Sequence, residues 1–248
     1  KKKLRFKKAH LLLTRPMDDS KKLSKKLDSR KFKFYISPML EIRGMNYKLE
    51  NFKNFDLFLF TSKNGLRNFK HINKESKAIV IGKGTLNEAK EIGLKNLLNI
   101  NGSIKDLKKK AISELKQHSN ILHPTSDISD KSLFNLFKNI KCNYHPLICY
   151  SSKKKNTNPE VFENFFFSCK DGIITLFSKR TAMSFLNELN RFNFTEKCNQ
   201  MKFLVLSDVI KEELKQKGLK NIIVTEEPNE ESMISLINKL SLQRGIIE

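Results

Sequence analysis

Short apolar runs and stretches with apolar residues at helical spacing alternate along the whole chain. The plainest run is Leu57-Phe-Leu-Phe60, which leads into Thr61-Ser62, then Lys63-Asn-Gly65, then Leu66 and Phe69 three apart. That pattern spells a buried strand ending in two hydroxyls and handing over to a helix. Ile173-Ile-Thr-Leu-Phe-Ser178 repeats it, running into Lys179-Arg-Thr-Ala182 with Phe185 and Leu186 placed to continue a helix. Further strands are predicted at His10–Thr14, Ala78–Ile81, Asn96–Ile100, Asn120–His123, Lys202–Leu206 and Asn221–Thr225. Helices are predicted over Met17–Ser29, Gly84–Ile92, Ile104–Lys116, Ser129–Asn139, Asn158–Phe167, Lys179–Asn190, Val209–Lys217 and from Pro228 to Leu240. Two segments, Lys31–Ile42 and Tyr144–Ser152, are extended and carry Pro38 and Pro146. They suit edge strands or crossovers.

Strands that alternate with helices throughout argue for an α/β fold with parallel sheets. The chain also repeats itself. Gly93-Leu-Lys-Asn96 and Gly218-Leu-Lys-Asn221 are identical and stand 125 residues apart. At the same offset Ile81-Gly82 faces Leu206-Ser207, so each copy reads strand, small residue, helix, Gly, strand. The reading is two similar parallel-sheet α/β domains with a cleft between them, joined through the two proline-containing extended segments.

The strand ends carry the candidate chemistry. A hydroxyl delivered to the top of a parallel sheet, beside the free N–H groups of a helix start and a Lys, favours a carboxylate or phosphate. Thr61, Ser62, Ser178 and Ser207 stand at such positions, with Lys63, Lys179 and Arg180 adjacent. The plainer alternative is that the serines cap their helices and the cations are solvated. Gly82 either lets backbone approach a ligand or only makes a turn. Arg15 either fixes the first loop or touches a ligand.

Charge leaves two readings open. The formal net charge is +22 and the pI about 9.8, which suits an anionic partner or reflects a Lys-rich composition. The lysines are scattered and no nucleic-acid motif or aromatic-basic array is present, so nucleic acid is not expected as a partner. No apolar run approaches the ~18 residues of a membrane span, and His10-Leu-Leu-Leu-Thr14 is too short for the core of an export signal. Cys142, Cys149, Cys169 and Cys198 show no Cys-x-x-Cys pair and no histidine at ligand spacing. They read as reduced core thiols in a cytoplasmic protein that needs no metal. The five histidines are scattered and receive no role.

A series of short motifs in order along nearly the whole chain resembles the uroporphyrinogen-III synthase family. It comprises Leu13-Thr-Arg-Pro16, Phe60-Thr-Ser-Lys-Asn-Gly65, Ile81-Gly-Lys-Gly-Thr85 and Leu122 to Asp127. Cys149-Tyr-Ser-Ser152 and Leu176-Phe-Ser-Lys-Arg-Thr-Ala182 complete it. Two places depart from the family's pattern: Ser207-Asp208 lacks the usual Gly-x-x-Thr turn, and His123-Pro124 replaces a small or basic residue. The resemblance implies two α/β domains joined by a pair of extended strands, one built from residues 1–37 and 147–248 and the other from 38–146.

It also implies a cyclising lyase of haem and porphyrin biosynthesis that acts as a monomer without cofactor. Its substrate, hydroxymethylbilane, is a linear tetrapyrrole with four acetates and four propionates. Loss of the ring A hydroxyl leaves an azafulvene, ring D attacks through its substituted carbon, and a spiro intermediate rearranges with ring D inverted. On this resemblance Tyr150 is the candidate catalytic residue, assisting departure of the hydroxyl. Arg15, Thr61, Ser62, Lys63, Gly82, Ser126, Ser178, Lys179 and Ser207 are the candidate substrate contacts. The competing expectation is a non-catalytic two-domain binder of an anionic small molecule.

Overall fold

Leu11, Leu12 and Leu13 are all wholly buried, which a strand allows only when both faces of its sheet are covered. The computed structural model describes residues 8–48, 54–102, 104, 106–107, 109–110, 115–128 and 132–242. Two compact units divide them: unit 1 runs up to Glu41 and resumes at Lys153, and unit 2 is Ile42–Ser152. Unit 1 opens with β1 (Ala9–Leu13), α1 (Met17–Lys25) and β2 (Phe32–Ile36). The chain passes through β3 (Leu40–Gly44) into β4 (Leu57–Phe60), α2 (Lys63–Asn68), β5 (Lys77–Ile81), α3 (Lys83–Glu91) and β6 (Asn96–Ile100). It continues with β7 (Asn120–Ser126), α4 (Ser132–Asn139) and β8 (Asn143–Lys154). Unit 1 is completed by α5 (Pro159–Ser168), β9 (Ile173–Leu176), α6 (Lys179–Phe192), β10 (Lys202–Val205), α7 (Asp208–Lys215), β11 (Ile222–Val224) and α8 (Glu230–Leu242). The helix expected over 104–116 lies partly outside the described residues, as does the start of the one expected from Ser129.

In unit 1 the strand order is β2-β1-β9-β10-β11 and every pairing is parallel. Leu12 points into an aromatic layer of Phe162, Phe165, Phe185 and Phe203, while Leu11 and Leu13 point the other way, toward Leu23, Met233 and Ile237. Period-2 alternation thus feeds two apolar layers from one continuous apolar run. In unit 2 the order is β3-β8-β7-β4-β5-β6, with parallel pairings from β8 through β6. There Phe58, Phe60 and Val80 face one layer, and Leu59, Ile79 and Ile81 face the other.

The two copies of Gly-Leu-Lys-Asn close their helices identically. Gly93 and Gly218 have φ of 84° and 78°, left-handed values that glycine adopts without penalty. In each copy the next residue's N–H reaches back five residues, Leu94 to the Ala89 carbonyl at 3.0 Å and Leu219 to the Leu214 carbonyl at 3.2 Å. The repeat is therefore a shared helix-to-strand turn, leading into β6 and β11.

The first proline segment forms edge strands, as expected, whereas the second lies inside its sheet. Lys31–Ile42 forms two strands in different sheets, β2 and β3, separated at Pro38. Tyr144–Ser152 falls inside a single twelve-residue strand, β8, which takes Pro146 into its ladder opposite His123. β7 likewise continues through Pro124 to Ser126, beyond the predicted end at His123. The ladder between β4 and β7 stops at Leu122, so the N–H missing from Pro124 removes no bond on that side.

Closeness at that point explains Gly65. A Cβ there would lie 2.6 Å from the Pro124 carbonyl oxygen and 3.4 Å from the Phe60 ring, so α2 sits directly on the β7 backbone. Gly65→Ala is expected to lower the unfolding free energy by about 1–3 kcal/mol, the usual cost of overpacking. Gly84→Ala, where a Cβ meets nothing within 4 Å, is the control and should not destabilise. Urea unfolding of both variants checks the contrast.

Candidate active site

Ligands of open parallel α/β sheets bind beyond the carboxyl ends of the strands, where the strand order reverses. In unit 2 the reversal falls between β4, which continues to β5 and β6 on one side, and β7, which continues to β8 on the other. Thr61 follows β4 directly, and His123 sits in β7. Their side chains meet there, with Thr61 Oγ1 and His123 Nε2 3.0 Å apart. A cavity of about 600 Å³ opens at this point, lined by Thr61, His123, Thr125, Ser126, Tyr150 and, among apolar residues, Ile81 and Leu133.

Three of the candidate residues, Thr61, Ser126 and Tyr150, are thus brought to one cavity from the ends of β4 and β7 and from within β8. Tyr150 is only 7% exposed and pairs with Ser126 across a bulge in the β7–β8 ladder. Such an irregularity re-aims side chains at a strand end. Ser126 has its hydroxyl committed to the following turn, donating to the Ile128 carbonyl at 2.9 Å and accepting from the Ile128 N–H at 3.3 Å. Thr61 differs, since His123 is the only partner of its hydroxyl among the described residues.

The remaining unit-2 candidates do not line the cavity. Ser62 is the N-cap of α2 and accepts from the Asn64 N–H at 3.2 Å, so the capping alternative describes it. Lys63 opens that helix. Gly82 has φ of 81° and donates its N–H to the Ile100 carbonyl at 3.0 Å, which makes it a turn residue joining β5 to α3.

His123 is the residue that sequence reasoning missed. It is 1% exposed, and burial lowers its pKa to about 4, so the ring is neutral near pH 7. Its Nδ1 lies 2.6 Å from the Tyr144 hydroxyl, and the Tyr144 ring stacks on Phe137 at 4.9 Å. The available signal was its position: a histidine ending the apolar run Ile121-Leu122 in a predicted strand.

Unit 1 carries its own candidates at its own reversal point, between β1 and β9. Arg15 follows β1; its guanidinium bonds Asp19 at 3.3 Å and Glu230, and lies 4.3 Å over the Phe177 ring. Burial alone would raise the Glu230 carboxyl, but Lys26 and Arg15 outweigh it and hold the group below its ordinary value. This network ties the first loop to the start of α8. Ser178 caps α6, accepting from the Thr181 N–H at 3.1 Å. Lys179 pairs with Glu213. Ser207 stands at the N-cap of α7 but makes no capping bond through its side chain, which leaves that hydroxyl for another partner.

The cysteines stay structural. All four are free thiols, and burial pushes Cys149 up to about 11 and Cys198 up to about 12. Both are therefore protonated at neutral pH and pack as small apolar groups. Among the described residues, no three His, Cys, Asp or Glu side chains are placed to hold a metal ion, and no helix is long and apolar enough to cross a membrane.

Doubly wound α/β units with hydroxyls and a neutral imidazole at the strand ends define a protein built to hold a polar small molecule there. The family model described as uroporphyrinogen-III synthase HemD matches residues 21–235. The chain belongs to the uroporphyrinogen-III synthase family, whose activity is that of a cyclising lyase of porphyrin biosynthesis. Its fold is similar to the crystal structure of uroporphyrinogen-III synthetase from Helicobacter pylori, with a TM-score of 0.64 at 14% identity, covering 94% of this chain and 100% of that one. A mutant uroporphyrinogen III synthase from the extremely thermophilic bacterium Thermus thermophilus gives a TM-score of 0.51 at 16% identity, covering 95% of this chain and 99% of that one. No curated protein matches the sequence.

Proposed function

We propose that this chain cyclises hydroxymethylbilane to uroporphyrinogen III with Tyr150 as the catalytic residue and the unit-2 cavity as the place where it acts. The observation that carries the proposal is the convergence of Thr61, Ser126 and Tyr150 on one cavity at the topological reversal of the sheet. The Tyr150 phenol hydrogen-bonds the departing hydroxyl of ring A as its C–O bond breaks, and the group leaves as water once it has taken a proton. The substituted carbon of ring D then bonds the exposed methylene, the spiro intermediate opens and recloses, and ring D ends inverted. A proton lost from the tetrapyrrole closes the balance, with no electron gained or lost. Apolar Ile81 and Leu133 in the cavity wall keep water from the cationic intermediate, and positioning supplies most of the remaining acceleration.

In this reading Thr61 donates to a substrate carboxylate and Ser126 offers its remaining lone pair to a pyrrole N–H. The working protein is a monomer in the cytoplasm that takes the free linear tetrapyrrole and engages neither nucleic acid nor membrane. Sedimentation of the purified chain checks the first of these.

The test is the isomer formed. Hydroxymethylbilane closes by itself to the uninverted type I macrocycle, so faster loss of the hydroxyl alone would only give more type I. The chain, added to fresh substrate with no cofactor, is expected to divert product to type III, read by oxidising the products and separating the isomers chromatographically. Type I alone, at the spontaneous rate, from folded protein would leave the non-catalytic binder as the better description.

A further inference from the structure

His123 lies between two hydroxyls, and the two distances are unequal: 2.6 Å from Nδ1 to Tyr144 and 3.0 Å from Nε2 to Thr61. A neutral imidazole has one N–H and one lone pair, so one neighbour donates to the ring and the other accepts from it. Bonds donated by O–H are ordinarily shorter, about 2.7–2.8 Å, than bonds donated by N–H, about 2.9–3.0 Å. The short contact therefore fits the Tyr144 phenol donating to Nδ1, and the longer one fits Nε2–H donating to Thr61. The reverse assignment would need an N–H bond of 2.6 Å, shorter than the usual range, and an O–H bond of 3.0 Å, at the long end of its range. The phenol is also the more acidic of the two hydroxyls.

We propose that His123 is a positioning residue that makes Thr61 a hydrogen-bond donor into the unit-2 cavity, so that this wall selects an anionic oxygen. With Nε2–H pointing at its oxygen, the Thr61 hydroxyl has its own proton left to give, and among the described residues no other protein group takes it. Ser126, on the same wall, has already given its proton to the Ile128 carbonyl. The relay runs from Tyr144 through His123 to Thr61 and ends on the ligand. Its outer member is held by the stacking of Tyr144 on Phe137 and its inner member by burial of the ring. The ligand group that takes this proton is a carboxylate oxygen, whereas an ammonium or amide N–H could use only the remaining lone pair of Thr61 and would leave its proton without an acceptor. This rests on the proposal that hydroxymethylbilane occupies the cavity, whose carboxylates are the oxygens in question.

The experiment has two arms that fail separately. In the first, ¹⁵N NMR of the full chain carrying ¹⁵N-labelled histidine, with His123 assigned from the spectrum of His123→Gln, reports the tautomer without any substrate. The expected result is the Nε2–H tautomer, neutral from pH 7.5 to 5.5. The Nδ1–H tautomer, or a ring protonated at pH 6.5, overturns the proposal even if the chain is a fully active synthase. In the second arm, His123→Leu is expected to raise KM for hydroxymethylbilane at least tenfold with kcat changed less than threefold, since a donor to a charged oxygen is lost. His123→Gln, whose side-chain amide can donate in place of Nε2–H, is expected to restore KM to within about threefold. A kcat loss with KM unchanged in the leucine variant, or no rescue by glutamine in a variant that melts like wild type, overturns the proposal. An inactive wild type with the Nε2–H tautomer intact would instead count against the cyclase reading alone.

Discussion

Tyr150→Phe is expected to lower turnover of hydroxymethylbilane about 100-fold, the low end of general-acid assistance. Fold stability should fall by only about 1 kcal/mol, the net worth of one hydrogen bond. The ring is already in place for packing: Tyr150 belongs to the apolar layer with Phe58, Phe60 and Leu122 and is 7% exposed. Phenylalanine preserves that layer, so a large effect on rate reads the hydroxyl and not the ring. The residual activity should still yield type III product, because phenylalanine leaves the shape of the cavity unchanged. Single-turnover kinetics at saturating substrate, paired with a thermal melt, decides it. A variant that melts early and whose folded fraction keeps full activity would show Tyr150 to be a packing residue only.

Stability should drop by about 3 kcal/mol as pH falls from 6.5 to 4, through His123 alone. Burial lowers its folded-state pKa to about 4 against 6.5 for the free side chain, and burial is the only cause of the shift. Between those two pH values the unfolded chain binds a proton that the folded chain refuses. Unfolding free energy therefore falls as pH falls through that window, by about 1.4 kcal/mol per unit of pKa difference, and levels off below pH 4. Above pH 6.5 both states are neutral and the contribution is complete. Urea unfolding at pH 7.5, 5.5 and 4.5 measures it, with His123→Gln as the reference that removes this proton and leaves every carboxylate in place. Equal slopes for wild type and variant would mean that the ring titrates normally and that the cavity wall is wetter than its burial suggests.

Much of this protein is legible in its apolar pattern. Runs such as Ile173–Leu176 and Ala78–Ile81, short and bounded by turn residues, read as strands covered on both faces, and strands of that kind call for intervening helices and parallel sheets. The twin Gly-Leu-Lys-Asn motifs announce equivalent turns because a left-handed residue after a helix all but demands glycine, and Gly93 and Gly218 both adopt it. Local chemistry of this sort depends on neighbours in sequence, which is why it can be read there. The hydroxyls at the ends of β4 and β9 belong to the same class, as does the N-cap at Asn158 with Pro159 and Glu160 behind it.

Contacts between strands distant in sequence are another matter. Nothing local says that Pro124 is tolerated inside β7; that follows from where the β4 ladder stops, at Leu122. Nothing local separates Ser62, spent on capping α2, from Thr61, one residue earlier and turned to the cavity. His123 carried no motif, and its role appears only when the reversal of strand order sets β7 beside β4, with Thr61 62 residues away in sequence at 3.0 Å. A histidine's proton is placed by whichever groups surround it, and here those groups come from three different strands or their ends. Sequence determined the layers, the turns and the family; the pairing of β7 with β4 on one side and β8 on the other decided which side chains meet, because a hydrogen bond is settled within tenths of an ångström.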